Sequence, residues 1–270
     1  MKYIDYTSCA LSATRSKIAY VSYSELKTMW ANNSGDETDL VYQVFKDVKD
    51  EPKYYNSDWS YVNAYSMIQS RTLHIVFRGT EGVDDVKIDL MVPMVPLLPG
   101  NKSVYVHDGF LKQFRSIHGF LLDTIFDALK KGLIDSVHFT GHSLGGALAT
   151  LAAGYFSPVI REYGCRIKCH TFGCPRLGNS GFVEWFKGLV DESYRVLNFK
   201  DPVPLIPVNC FYRHINGGIE LDDKGGVTIL DNDAPFCMRL LYLPFDIYYR
   251  HPIANHACDL YINRLLELAS

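Results

Sequence analysis

Apolar residues along the chain fall into two recurring rhythms. Short β-rich runs, Thr72 to Phe77, Ser136 to Thr140, Arg166 to Phe172 and Tyr194 to Phe199, alternate with stretches whose apolar positions recur every three or four residues. The first rhythm suits a buried strand and the second an amphipathic helix. Between Gly109 and Lys131, Phe110, Phe114, Ile117, Leu121, Ile125 and Leu129 are spaced by four, three, four, four and four, which predicts one long helix. A second helix is predicted after Ser143, rich in helix formers from Ala147 to Phe156, stopping near Ser157 and Pro158, where a proline cannot continue the hydrogen-bond ladder. A third is expected from about Leu11 to Met29, and a closing helix from Ala254 to Leu268. Gly217 to Leu230 reads as two short strands around a Gly-rich turn. Strands alternating with helices predict a layered α/β fold with a largely parallel sheet. With no internal repeat and no Gly/Ser linker, residues 1–270 are expected to form one domain.

Composition narrows the partners. The 270 residues are 47% hydrophobic and 21% charged, so a large core is affordable and disorder is excluded. Lys and Arg total 27 against 30 Asp and Glu, for a net charge of −3, without a basic run to follow a phosphate backbone; nucleic acid is not expected as a partner. The longest apolar stretch, Leu90 to Leu98, is broken by Pro93 and Pro96 and falls short of the ~20 residues of a spanning helix, so no transmembrane segment is expected. The first residues, Met1 to Tyr6, contain Asp5 and no apolar leader core, from which a cytoplasmic location is expected. Seven cysteines, an odd number spread over the chain, suit reduced thiols better than a disulfide framework. Cys165, Cys169, His170 and Cys174 invite a metal reading, but they contain no CxxC pair and lie in a predicted strand and turn. Neither metal nor organic cofactor is expected.

The chemistry concentrates at Thr140-Gly141-His142-Ser143-Leu144-Gly145-Gly146, a G-x-S-x-G sequence between a predicted strand and a predicted helix. A strand that turns sharply into a helix strains the central serine, aims its oxygen outward and needs glycines where backbones pass closely. It also puts the Leu144 N–H at the positive end of the helix, where it can stabilise an oxyanion. A serine nucleophile needs a base, and the base needs an acid to orient it. Downstream, Asp201 lies just past a strand, in a loop stiffened by Pro202 and Pro204; Asp191 and Asp222 are weaker candidates, before the strand and in the hairpin. Of the later histidines, His170 falls inside a strand and His214 beside the hairpin, which leaves His251 and His256 as possible bases.

Five segments in order give the chain a resemblance to the class-3, or fungal-type, lipases and their plant relatives. They are Ile75-Val76-Phe77-Arg78-Gly79-Thr80, Val106 to Leu111, Gly141 to Gly146, Thr171 to Asn179 and Lys200-Asp201-Pro202-Val203-Pro204, and the resemblance runs from about Leu11 to Tyr261. It implies an α/β-hydrolase fold: a central, mostly parallel sheet flanked by helices, with a lid segment over the active site. In the family the last catalytic element is a His followed five residues later by Tyr; His256 and Tyr261 fit, so the resemblance selects His256 as base, with His251 as alternative. It also implies that Thr80 supplies the second oxyanion donor beside Leu144. His142, next to the nucleophile, is read as a packing residue.

The lid is expected at about 81–99. Val83, Val86 and Leu90 mark one helical face, and Met91 to Pro99 is apolar and proline-rich, suited to an acyl chain, to adsorption at a lipid interface or to permanent packing on the core. The functional expectation is a serine hydrolase acting on carboxylic esters of lipids, an acylglycerol lipase, through Ser143, His256 and Asp201 and an acyl-enzyme. The alternatives are a phospholipase, a short-chain or aryl carboxylesterase, or a lipase-like scaffold that has lost catalysis.

Overall fold

The computed structural model describes residues 4–57, 62–80, 93–207, 211–230 and 254–270. Among these, one sheet is built from β1 (Lys53–Ser57), β2 (Val62–Gln69), β3 (Thr72–Phe77), β6 (Ser136–His142), β7 (Arg166–Phe172), β8 (Glu192–Asn198), β9 (Gly218–Leu221) and β10 (Val227–Leu230), in that spatial order. The five strands from β3 to β9 run parallel, and antiparallel hairpins close both edges. The expected hydrolase architecture, a mostly parallel sheet between helical layers, is the one found. All seven residues of β6 are buried, as a central strand covered on both faces requires.

Strand alternation sorts side chains between two unlike layers. Leu73, Ile75 and Phe77 of β3 and Val137 and Phe139 of β6 pack with Phe114, Ile117, Leu121 and Ile125 of α4 (Asp108–Lys130) and with Leu148, Leu151 and Ala152 of α5 (Leu144–Glu162). The opposite positions, His74, His138, Thr140 and His170, face α1 (Tyr6–Ile18). There Ser12 Oγ lies 3.1 Å from His170 Nδ1, and Ser16 Oγ 3.1 Å from Thr140 Oγ1. This strand parity separates the Cys165, Cys169, His170 and Cys174 cluster. Cys169 belongs to the apolar layer, whereas His170 meets Ser12 and Glu192 on the other side.

Two helix expectations are corrected. The stretch from Leu11 to Met29 is two helices, α1 and α2 (Tyr23–Ala31), because Ser22 starts a new one with a capping box: its Oγ accepts from Glu25 N–H at 3.3 Å, and Glu25 Oε2 accepts from Ser22 N–H at 2.8 Å. Helix α5 does not stop at Pro158 but continues to Glu162. The carbonyl left without a donor by the proline, Gly154 C=O, accepts from Ser157 Oγ at 2.8 Å, so the helix passes the proline with its acceptor satisfied. The remaining helices are α3 (Leu40–Phe45), α6 (Ser180–Phe186) and α7 (Cys258–Ala269). Within the segment expected to be the lid, β4 (Met94–Pro96) pairs with β5 (Tyr105–His107) and Leu97 is fully buried, so this part is fixed to the core. Residues 81–92 lie outside the described residues. Among the described residues no helix is long and apolar enough to cross a membrane.

The buried histidines make stability sensitive to acid. His74, His138 and His170 stack edge-on in succession, with ring centroids 5.3 and 4.5 Å apart, and burial is the largest cause holding all three below the ordinary value of 6.5. The unfolded chain therefore takes up protons that the folded one refuses, so stability present above pH 6.5 is lost as pH falls below it. Between pH 6.5 and 5 each of His74 and His138 is expected to cost up to about 2 kcal/mol of folding free energy. Urea unfolding from pH 7 to 5 checks this, and His138→Leu is expected to flatten the dependence. An equally steep dependence in that variant would place the acid sensitivity elsewhere.

Candidate active site

The nucleophile elbow follows from how closely three backbone segments cross. A Cβ on Gly141 would lie 2.2 Å from the Gly145 carbonyl oxygen, and one on Gly145 would lie 2.3 Å from that of Phe77. Only glycine allows the end of β6, the start of α5 and the end of β3 to meet this way. Ser143 is thereby driven to φ 58° and ψ −131°, the left-handed side of the map that an L-residue adopts only under constraint. Its N–H donates to the Phe172 carbonyl at 2.8 Å, and its own carbonyl accepts from Gly146 N–H at 2.9 Å, so both strands and helix hold the turn.

Leu144 is the first residue of α5, whose amide has no intrahelical carbonyl to bond and lies at the positive end of the 19-residue helix. Thr80 leaves β3 immediately after Gly79, and a Cβ on Gly79 would be 3.0 Å from Ser143 Cβ. Leu144 thus follows the serine in the chain, and Gly79, the residue before Thr80, packs against it.

The expected acid and base also come together. Asp201 follows Lys200, itself at φ 69°, in the turn that ends β8; Asp201 Oδ1 accepts from Val203 N–H at 2.9 Å. Its Oδ2 accepts from His256 Nδ1 at 2.8 Å and from the Tyr261 hydroxyl at 2.5 Å. A carboxylate only accepts, so Nδ1 carries the imidazole proton and Nε2 is left as a bare lone pair. Burial, followed by the neighbouring Asp201 charge, pushes the Tyr261 hydroxyl well above its ordinary value of 10.0, so it stays a donor. His256 is 5% exposed and Ser143 1%, yet among the described residues neither His256 Nε2 nor Ser143 Oγ has a hydrogen-bond partner. Other buried atoms, His74 Nδ1 and His138 Nε2 among them, are also left so; what sets this pair apart is that His256 Nδ1 is bonded to Asp201.

Gly173, at φ 57°, is the wall of this pair: a Cβ there would lie 2.8 Å from two atoms of the His256 ring and 2.9 Å from Asp201 Oδ2. On the other side is His142, with ring centroids 4.4 Å apart. It does more than pack, since its Nε2 lies 2.7 Å from the His256 carbonyl oxygen and its Nδ1 3.0 Å from the Tyr20 hydroxyl. Tyr20 carries no motif; it comes to the site because the chain breaks between α1 and α2. The S-x-x-E capping signal at Ser22 and Glu25 marks that break in the sequence.

The other candidates are accounted for elsewhere. Asp191 accepts from Ile167 N–H at 2.7 Å and pairs with Arg161 at 3.0 Å. Asp222 closes the hairpin by accepting from Lys224 and Gly226 N–H at 2.7 and 2.6 Å. His214 Nε2 lies 2.6 Å from the Pro204 carbonyl. His251 lies outside the described residues.

Comparison with known proteins agrees with this geometry. A secreted mono- and diacylglycerol lipase of Fusarium solani is 36% identical over 155 residues, covering 57% of this chain and 42% of that protein. A lipase of Rhizomucor miehei is 34% identical over 165 residues, covering 59% and 44%. The chain thus spans somewhat under half the length of these curated relatives. A solved structure described as a triacylglycerol lipase with a serine protease triad as its catalytic centre superposes with TM-score 0.74 at 25% identity, covering 93% of this chain and 92% of that one. The expected cytoplasmic location is corrected by the Fusarium match, a protein named as secreted, against which the character of the first residues here carries no weight. The model of the class 3 lipases matches residues 74–211, just over half of the chain and all of the elbow, and the chain belongs to that family.

Proposed function

We propose that the chain is a serine hydrolase of lipid carboxylic esters, an acylglycerol lipase. The observation that carries the proposal is the pair of buried, unpartnered atoms Ser143 Oγ and His256 Nε2, with His256 Nδ1 already committed to Asp201. In the proposed reaction His256 Nε2 takes the Ser143 proton as Oγ attacks the acyl carbon, and Asp201 stabilises the imidazolium. The Leu144 and Thr80 amides receive the charge that develops on the carbonyl oxygen, a role such donors fill best when held in place beforehand. The imidazolium then protonates the leaving alcohol, and Nε2 activates water against the acyl-Ser143 ester, returning both residues to their initial state.

The substrate class is supported by the lipase names of the relatives. Residues 1–270 are taken as one catalytic unit, since eight strands between residues 53 and 230 share one sheet, with Ser143 directly after β6 and Asp201 just past β8, where it bonds His256. No step calls for a metal or organic cofactor.

Hydrolysis of nitrophenyl esters of two to sixteen carbons, below and above their solubility limit, tests the reading. Ser143→Ala is expected to lower kcat by roughly four to six orders of magnitude with the fold intact. Rates are expected to peak at long chains and to rise when substrate forms an interface. A peak at short soluble esters would make the protein a carboxylesterase, preference for phospholipid vesicles a phospholipase, and absence of Ser143-dependent rate a scaffold. Gly173→Ala, which forces a methyl against the His256 ring and Asp201, is expected to lower kcat by about 100-fold or more through misplacement of the base. Wild-type kcat in a folded Gly173→Ala protein would show that the pair tolerates displacement.

A further inference from the structure

His142 stands beside the proposed base in a position that packing alone does not explain. It is the last residue of β6, so the strained turn at Ser143 starts from its carbonyl. Its ring lies against His256 at a centroid distance of 4.4 Å and an interplanar angle of 33°, and it reaches the His256 main chain as well, at 2.7 Å from the carbonyl oxygen. A carbonyl cannot donate, so Nε2 must carry a proton. Burial first, and then the neighbouring His256, hold His142 well below the ordinary histidine range, so the ring is neutral and Nδ1 is an acceptor. The Tyr20 hydroxyl, 3.0 Å from Nδ1, is then the donor. All the protons in this chain of contacts have one arrangement: Tyr20 to His142, His142 to the His256 backbone.

We propose that His142 is a positioning residue for His256: as a neutral ring locked by Tyr20, it fixes the backbone that presents the base and keeps a second positive charge away from the imidazolium. The inference rests on the hydrolase reading above and adds to it a route by which Tyr20, outside the motifs, bears on catalysis. The groups that face His142 are Tyr20 from the turn after α1, His256 from the 3-10 turn Ala254–His256 and Tyr261 from α7, whose ring is 5.9 Å away. Asp201 is bonded to two of these, His256 and Tyr261. Protonating His142 at Nδ1 would require the Tyr20 hydroxyl to give up its donor role, and would set a cation against the ring that must itself become cationic during acyl transfer. The Tyr20 hydroxyl also lies where a Cβ on Gly79 would come within 2.3 Å of it, so the same group braces the backbone leading to Thr80.

The test compares His142→Leu with His142→Gln, whose amide can still donate to the His256 carbonyl and never takes charge. His142→Leu is expected to lose roughly ten- to a hundredfold in kcat with KM within twofold, the range for a misplaced catalytic group, and His142→Gln to recover to within about fivefold of wild type. Wild-type kcat in His142→Leu, or equal losses in both variants, would overturn the proposal and leave His142 a packing residue. Should His142→Leu not fold, Tyr20→Phe gives an independent answer. Removing the donor to Nδ1 makes His142 easier to protonate, so the acid limb of kcat/KM is expected at higher pH than in wild type, a shift that vanishes when His142→Gln is added. An unmoved acid limb would overturn the proposal. Labelling by an active-site serine phosphonate separates this from the underlying reading: no labelling of folded wild type would overturn the hydrolase assignment and this proposal with it, whereas normal labelling with unaffected variants would overturn this proposal alone.

Discussion

The crossing of three backbone segments at Gly141, Gly145 and Phe77 is the constraint from which the rest of the site descends. Carbonyl oxygens there stand 2.2 and 2.3 Å from where side-chain carbons would be, so β6 can run into α5 against β3 only without side chains at those points. The left-handed conformation of Ser143 costs on the order of 1–3 kcal/mol and persists because its surroundings over-determine it. Parallel pairing to β3 and β7 fixes the strand on both sides, and the Phe172 carbonyl takes the Ser143 N–H. The helix beyond is buried along most of its length. Loosening any of these would let the turn relax, and the serine oxygen, the Leu144 amide and the Thr80 loop would lose their common alignment.

The proposed acid and base are held by a different principle, that of saturating one group's hydrogen bonds to leave another's free. Asp201 spends its acceptors on Val203 N–H, the Tyr261 hydroxyl and His256 Nδ1, so it has one orientation and the imidazole has one tautomer. Tyr261 in turn accepts from Asn198 N–H at 3.1 Å, and Asn198 Nδ2 donates to the Asn255 carbonyl at 3.1 Å, tying the end of β8 to the 3-10 turn that carries His256. Residues 198, 201, 255, 256 and 261 thus form one mutually supporting unit. Its open valence is His256 Nε2, the atom the proposed reaction uses.

The sheet places this machinery between two layers of unlike character. Beneath α4 and α5 lie aliphatic and aromatic side chains, a dense apolar support for the elbow. Beneath α1, whose Ser12 and Ser16 face them, lie a threonine and three stacked histidines, kept neutral by burial. The polar layer leads at its end to Tyr20 and His142, so the face that is sensitive to acid adjoins the face that does acid–base work. This proximity follows from strand parity: His138, Thr140 and His142 alternate along β6 onto one side, and Ser143 is placed at the turn by the same strand.

Local sequence was sufficient for whatever depends on spacing along one segment. Short β-rich apolar runs marked β3 and β7 end to end, period-3.6 spacing marked α4 to within one residue at each end, and the glycines around Ser143 marked the elbow, because steric exclusion acts between neighbours in the chain. Asp201 was legible as an acid past a strand and was set above Asp191 and Asp222 on that placement, whereas the choice of His256 over His251 needed a family resemblance. What they bond decides their role, and the partners of Asp201 lie 55 and 60 residues away, at His256 and Tyr261. The passage of α5 through Pro158 and the break before Ser22 were misjudged for a related reason: a serine hydroxyl supplied the bond that the proline lacked, and a cap competed with helical periodicity. Tyr20 and the hydrogen bonds of His142 were beyond reach altogether. Their meaning lies in the direction of single hydrogen bonds between segments 122 and 114 residues apart, and only packing of the whole chain brings those segments within 3 Å.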